Sequence, residues 1–362
     1  MTSRVGVAAL AALALLAAGW GGLSRLGLAP RSPGDTASYH GALMVSSFIG
    51  TLIGLERAIV MRRTWAYLAP ILSSAAGVAL LVGAGAPIAA LLVAGAATAF
   101  LAVTVRGAPS SPGTAIVVMS AGAAAWLVGA VLWWQGAAAF RSMPWWSAFL
   151  VLTIAAERLE LARALRPSGR ATAVLVLAAT ALLAGVALTL VDLTIGMRVA
   201  GAGALVLGMW LALRDRPPST ARTRELPRFI ATALPLGYAW LVVGALFMVG
   251  FDGVPTGWRY DAMVHALFAG FALTMIFAHG PIVIPAVIGG AIAYRPILYG
   301  PLALLEVSVL LRVAGDALER AGVRDAGAIG TAIALVGFMA AMATGIRMRR
   351  AASRRALREP GS

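Results

Sequence analysis

Three histidines, His40, His265 and His279, carry most of the chemistry available to this chain, because it contains no cysteine. Disulfides, thiolate haem ligation, iron–sulfur clusters and cysteine nucleophiles are thereby excluded, and any metal must be held by histidine, methionine, carboxylate or backbone oxygen. All 29 basic residues are arginine, which also removes a lysine Schiff base. His40 opens the apolar stretch YHGALMVSSFIG, and His265 opens HALFAGFALTMIFAHGPIVIP. If both helices start at one face of the membrane, the two imidazoles share a depth and form a candidate axial pair for a single haem b iron. Asp261 stands one helical turn before His265, where its carboxylate can hold the imidazole by the second ring nitrogen. His279 lies 14 residues beyond His265, about 21 Å along a helix. It therefore cannot serve the same iron. Met275 with His279, and Met44 with His40, are pairs at helical spacing in which a soft thioether joins an imidazole, a set suited to Cu(I). The plainer alternatives are interfacial hydrogen bonds for the histidines and core packing for the methionines.

Other polar groups inside apolar runs are candidates for the same reason: unsatisfied in lipid they cost several kcal/mol, so they face an interior. Glu306, in LALLEVSVLLRV, sits about 15 Å into its span, as a proton path, an ion site or a partner to a metal-ligating histidine, with a structural pair to arginine as the alternative. Glu56 and Arg57 lie near a membrane interface, where a snorkelling ion pair is expected. Pro281 and Pro285 follow His279 and free backbone carbonyls. They predict either a kink beside a cofactor pocket or an unwound segment of the kind transporters use.

The elements that must position these residues follow from composition. The chain has 362 residues, 60% of them hydrophobic and 12% charged, with a mean hydropathy of +0.89. A soluble domain is nearer a quarter charged. The apolar runs are continuous and unalternating, as in membrane helices and unlike barrel strands. Twelve such runs predict an all-α polytopic bundle of about 12 transmembrane helices, with the histidines in 38–56 and 261–279 and Glu306 in 297–313. Assigning the gaps alternately to the two faces places 21 of the 29 arginines on one side and 8 on the other. The positive-inside rule then makes both termini cytoplasmic, in the cell inner (plasma) membrane. The same distribution explains the net charge of +15 as a topology signal, so nucleic acid is not an expected partner and membrane lipid is. Residues 1–350 read as one membrane domain with a linker at 214–228 between helices 8 and 9, and 351–362 as a basic cytoplasmic tail. Gly50 and Gly54 form a GxxxG face for close helix approach. The tryptophan pairs 133–134 and 145–146 fit an interfacial belt.

The stretches YHGALMVSSFIGTLIGLERA and HALFAGFALTMIFAHGPIVIP resemble the histidine-bearing helices of the NnrS family. Those are membrane proteins of about twelve helices that carry haem and copper and are linked to bacterial nitric oxide stress. The likeness covers about forty residues at similar places in the chain, together with the helix count. It implies haem and copper as cofactors, His40, His265 and His279 as their ligands, and electron transfer, with a redox partner, or a nitric oxide stress role. In that family the late motif's second histidine is further from the first and is followed by threonine and glycine, where this chain has Gly280 and Pro281. Haem–copper oxygen reduction is excluded by arithmetic, since its metal centres need six histidines and this chain has three. A proton- or ion-coupled secondary transporter using Glu306, and a membrane scaffold or assembly factor, are the alternatives.

Overall fold

Apolar runs of about 20 residues can satisfy their own backbone in lipid only by coiling. A computed structural model describes residues 2–30, 35–107, 113–161, 168–215, 225–289 and 294–356. Among these residues there are twelve continuous helices and no strand: α1 (Thr2–Arg25), α2 (Thr36–Met61), α3 (Thr64–Leu81), α4 (Ala86–Arg106), α5 (Thr114–Trp134), α6 (Ala139–Leu161), α7 (Gly169–Leu188), α8 (Leu193–Arg214), α9 (Glu225–Val249), α10 (Gly257–Ile288), α11 (Pro296–Ala317) and α12 (Ala321–Ala356). Eleven of them are long and apolar enough to cross a membrane. The remaining one, α6, ends in the charged sequence ERLEL, and its charges are answered inside the bundle. The expected linker falls largely on 216–224, outside the described residues. So does the end of the expected tail, 357–362, whereas 351–356 continue α12.

Helices adjacent in sequence pack on one another in α1–α2, α3–α4–α5–α6, α7–α8–α9–α10 and α11–α12. Helix α10 is the hub, touching α1, α2, α6, α9, α11 and α12, so the helix with two of the three histidines joins the first half of the chain to the second. It runs unbroken through Pro281 and Pro285 to Ile288. The proline pair therefore opens no unwound segment within α10.

Both histidine-bearing helices contain a π-helical segment close behind a histidine, at Leu43–Gly50 in α2, three residues past His40, and at Ala266–Ala272 in α10, immediately past His265. A π turn is uncommon and concentrates at functional sites, and in lipid its freed carbonyls need partners. In α2 they have them. Ser73 on α3 donates to the Ser46 carbonyl at 2.5 Å and Thr51 donates to the Ser47 carbonyl at 2.7 Å, while Trp126 Nε1 reaches the Ser46 hydroxyl at 3.2 Å.

The partners of the GxxxG face are now visible: Gly50 lies against the Trp126 ring on α5 and Gly54 against Pro70 on α3. Trp126 in turn stacks on Phe149 of α6, with ring centroids 4.6 Å apart. Trp145 and Trp146 are buried against Gly129 of α5 and so form packing, not an interfacial belt, whereas Trp134 is exposed.

Helices α11 and α12 approach so closely that a β-carbon on Gly327 would lie 2.4 Å from the Arg312 backbone nitrogen. Gly327→Leu is accordingly expected to destabilise the protein by about 1–3 kcal/mol through overpacking, read as a lowered unfolding midpoint in detergent. A midpoint equal to that of the parent protein would disprove so tight a contact.

Candidate functional site

His40 and His265 are oriented in the same way. Nδ1 of His40 lies 2.6 Å from the Ala18 carbonyl of α1, and Nδ1 of His265 lies 2.7 Å from the Asp261 carbonyl. A carbonyl only accepts, so in each neutral ring Nδ1 carries the proton and Nε2 keeps its lone pair. Among the described residues no hydrogen bond occupies either Nε2. The two rings are within electrostatic range of each other and of Arg25 and Arg312. Their seating depends on a small residue, because a β-carbon on Gly22 would fall 2.9 Å from Cε1 of His40. Met44 follows one turn after His40, buried in the π-helical segment.

Asp261 does hold the His265 imidazole, but through its backbone. The carbonyl four residues back in a helix already lies beneath Nδ1, which leaves the carboxylate for a cation. It turns to Arg312 Nη2 at 3.7 Å, and Arg312 Nε is bound 2.9 Å from the almost wholly buried Asp316 carboxylate. One guanidinium from α11 thus braces the α10 turn that carries His265.

His279, four turns further along α10, is in a different environment. Its Nδ1 donates to the Met275 carbonyl at 2.8 Å, and its Nε2 accepts from Arg158 Nη1 at 3.1 Å. Both ring nitrogens are engaged. Arg158, from the end of α6, also grips Asp215 with two hydrogen bonds, of 2.6 and 2.9 Å, and Tyr238 of α9 donates to the same carboxylate. The Met275 side chain packs against Gly237 of α9. The neighbouring residues of α6 face the other way: Glu157 and Glu160 lie 3.4 and 2.9 Å from Arg57 of α2. The charged end of α6 therefore links α2 on one side to α8, α9 and α10 on the other.

Glu306 lies between these two ends. Its Oε2 accepts from Trp240 Nε1 of α9 at 2.7 Å and its Oε1 from Thr274 Oγ1 of α10 at 2.6 Å. Arginine is not among its partners in the described residues.

The structure thus brings together His40, His265 and Asp261 and keeps His279, Met275 and Glu306 apart from them. Among the described residues no three His, Asp or Glu side chains converge as a metal-binding group, so the two imidazoles stand as a two-ligand set. Sequence reasoning missed Asp215, Tyr238, Trp240 and Thr274. A signal existed for two of them: Thr274 is the one hydroxyl in LFAGFALTMIFA, and Tyr238 is a phenol within an apolar span.

The architecture defines a polytopic α-helical membrane protein with an imidazole pair at one end of its bundle. The chain belongs to the family described as domain of unknown function DUF8744, which matches residues 4–347, from the first turn of α1 into α12. No curated protein matches it in sequence.

Proposed function

We propose that this protein binds haem b in the cell inner membrane through His40 and His265 and serves in electron transfer or nitric oxide related protection. The carrying observation is the matched pair of rings, each anchored at Nδ1 by a backbone carbonyl with Nε2 left unbonded. Anchoring at the second nitrogen fixes the tautomer and ring orientation and raises ligand basicity, as at other histidine–metal sites. The donor set would fit a haem better than a bare ion, because two imidazoles alone are few donors for a bare ion, whereas a haem brings its own ring nitrogens and would need only His40 and His265 from the protein. Bound there, a haem b supplies a one-electron couple. The residues of this chain do the rest: Ala18 and Asp261 orient the rings through their carbonyls, and Gly22 leaves room for His40. Arg25, exposed at the end of α1, faces the site with a positive charge suited to haem carboxylates. The arginine bias puts this end on the non-cytoplasmic face, with both termini in the cytoplasm. The likeness of the two histidine stretches to the NnrS family supports the same reading.

The test is a reduced-minus-oxidised optical spectrum of protein purified from cells supplied with haem precursor. A Soret difference is expected that is lost in His40→Ala and in His265→Ala and kept in His279→Ala. A colourless parent protein, or one whose spectrum survives loss of both His40 and His265, would sink the proposal.

A further inference from the structure

Glu306 is the eleventh of the 22 residues of α11, so it sits about 15 Å from either end of the helix, at the centre of the membrane span. The residues around it on α11, Leu304, Val307 and Leu310, are exposed apolar side chains of a lipid-facing surface, while Glu306 itself is half-buried. A carboxylate at this depth is costly unless a cation or a proton answers it. Arg312, the arginine of α11 six residues on, is held by Asp316 and Asp261.

We infer that Glu306 is a proton-binding site in the membrane interior, its carboxyl taking up and releasing one proton between Thr274 and Trp240. The two partners are chemically unequal. An indole N–H only donates, whereas a threonine hydroxyl both donates and accepts. With Glu306 ionised, both donate to it, one to each oxygen, as the hydrogen bonds of 2.6 and 2.7 Å show. When a proton arrives, Oε1 becomes the O–H. Thr274 can turn its own hydroxyl proton towards a carbonyl of the preceding turn, as helical threonines do, and accept from the acid. Trp240 continues to donate to Oε2 without moving. The site therefore satisfies both states of one proton, –COO⁻ + H⁺ and –COOH, with the rotation of a single hydroxyl.

The surroundings make this a neutral enclosure. From α9 the facing polar group is Trp240, seated close because a β-carbon on Gly270 would meet its ring at 2.5 Å. From α10 it is the fully buried Thr274. The other titratable groups of α10 lie further along its axis, with His279 about 8 Å, His265 about 14 Å, and Asp261, Tyr260 and Arg259 about 20 Å or more from Thr274, and the charges at the start of α12, Arg324 and Asp325, pair with each other at 2.8 Å. Among the described residues the side-chain hydrogen bonds of Glu306 run to Thr274 and Trp240, and no salt bridge reaches it. The inference is independent of what His40 and His265 hold.

Infrared difference spectroscopy of the full chain in lipid, between low and high pH, reads the site directly. A C=O stretch of a protonated carboxyl is expected that downshifts in D2O, is lost in Glu306→Gln, shifts in Thr274→Val and returns to its parent position in Thr274→Ser. Circular dichroism of each variant checks that the helices are intact, and the Thr274 pair carries the test if Glu306→Gln fails to fold. The inference is overturned if the parent protein shows no such band, if the band survives Glu306→Gln, or if Thr274→Val leaves it unmoved. It is also overturned if sodium in place of choline removes the band at fixed pH, which would make Glu306 a cation site.

Discussion

Arg158→Ala is expected to destabilise the bundle by about 3–5 kcal/mol, the cost of leaving one member of a buried ion pair alone. Arg158 is the donor for Asp215 and for His279, and the Asp215 carboxylate is only 7% exposed. Removing the guanidinium leaves Asp215 with the Tyr238 hydroxyl alone, leaves Nε2 of His279 without a donor, and unties α6 from α8 and α10. The measurement is the unfolding midpoint in detergent against a denaturant series, with tryptophan emission as the probe. A double variant, Arg158→Met with Asp215→Asn, is expected to recover a substantial part of the loss. Removing both charges spares the desolvation penalty that one unpaired charge incurs, and the amide oxygen of the introduced asparagine would still accept from Tyr238. A loss below about 1 kcal/mol for Arg158→Ala would place the pair among exposed salt bridges of small worth and refute its linking role.

Arg312→Leu is expected to have a comparable effect, again about 3–5 kcal/mol, at the opposite end of the bundle. Arg312 and Asp316 are the most buried ion pair among the described residues, with side chains 7% and 1% exposed. Leucine preserves much of the apolar contact of the arginine stem, so the loss isolates the stranded Asp316 carboxylate and the released Asp261. Arg312→Leu with Asp316→Asn is expected to regain stability for the reason given for Arg158. The variant also bears on the imidazole pair, because Asp261 holds His265 through its carbonyl and is itself braced by Arg312. The single variant is expected to weaken the difference spectrum of the proposed haem, and the double variant is expected to leave it weakened, because Asp261 loses its brace in both. Equal stability of Arg312→Leu and the parent protein would count against both statements.

The two ends of the bundle are built on one scheme. An arginine from one helix answers a carboxylate while steadying the turn or ring of a histidine on α10: Arg312 by way of Asp261 for His265, and Arg158 directly for His279. The difference lies at the ring. His265 retains an unbonded nitrogen and His279 does not, which is why the first is a ligand candidate and the second is, in this structure, a hydrogen-bonded member of a polar network.

The sequence by itself determined the fold class, the twelve helices and their order, and the separation of His265 from His279 along one helix. These are local properties. In lipid a helix needs only about 20 consecutive apolar residues, because it satisfies its backbone within its own span, and distance along a helix is set by residue count. The tertiary structure decided which nitrogen of each ring is left for a ligand, that Asp261 serves by its backbone, that Gly50 and Gly54 meet different helices, and that α6 can carry charges because Arg57 and Asp215 answer them. It also placed the π-helical segments, which the apolar pattern does not mark. The physical reason is that most of these depend on contacts between residues far apart in the chain, 121 positions for Arg158 and His279 and 66 for Trp240 and Glu306, whereas the Nδ1 anchor of His265 lies only four residues back and is set by side-chain rotamer. Hydrophobicity, which places helices in the membrane, says little about which polar side chains will meet once they pack.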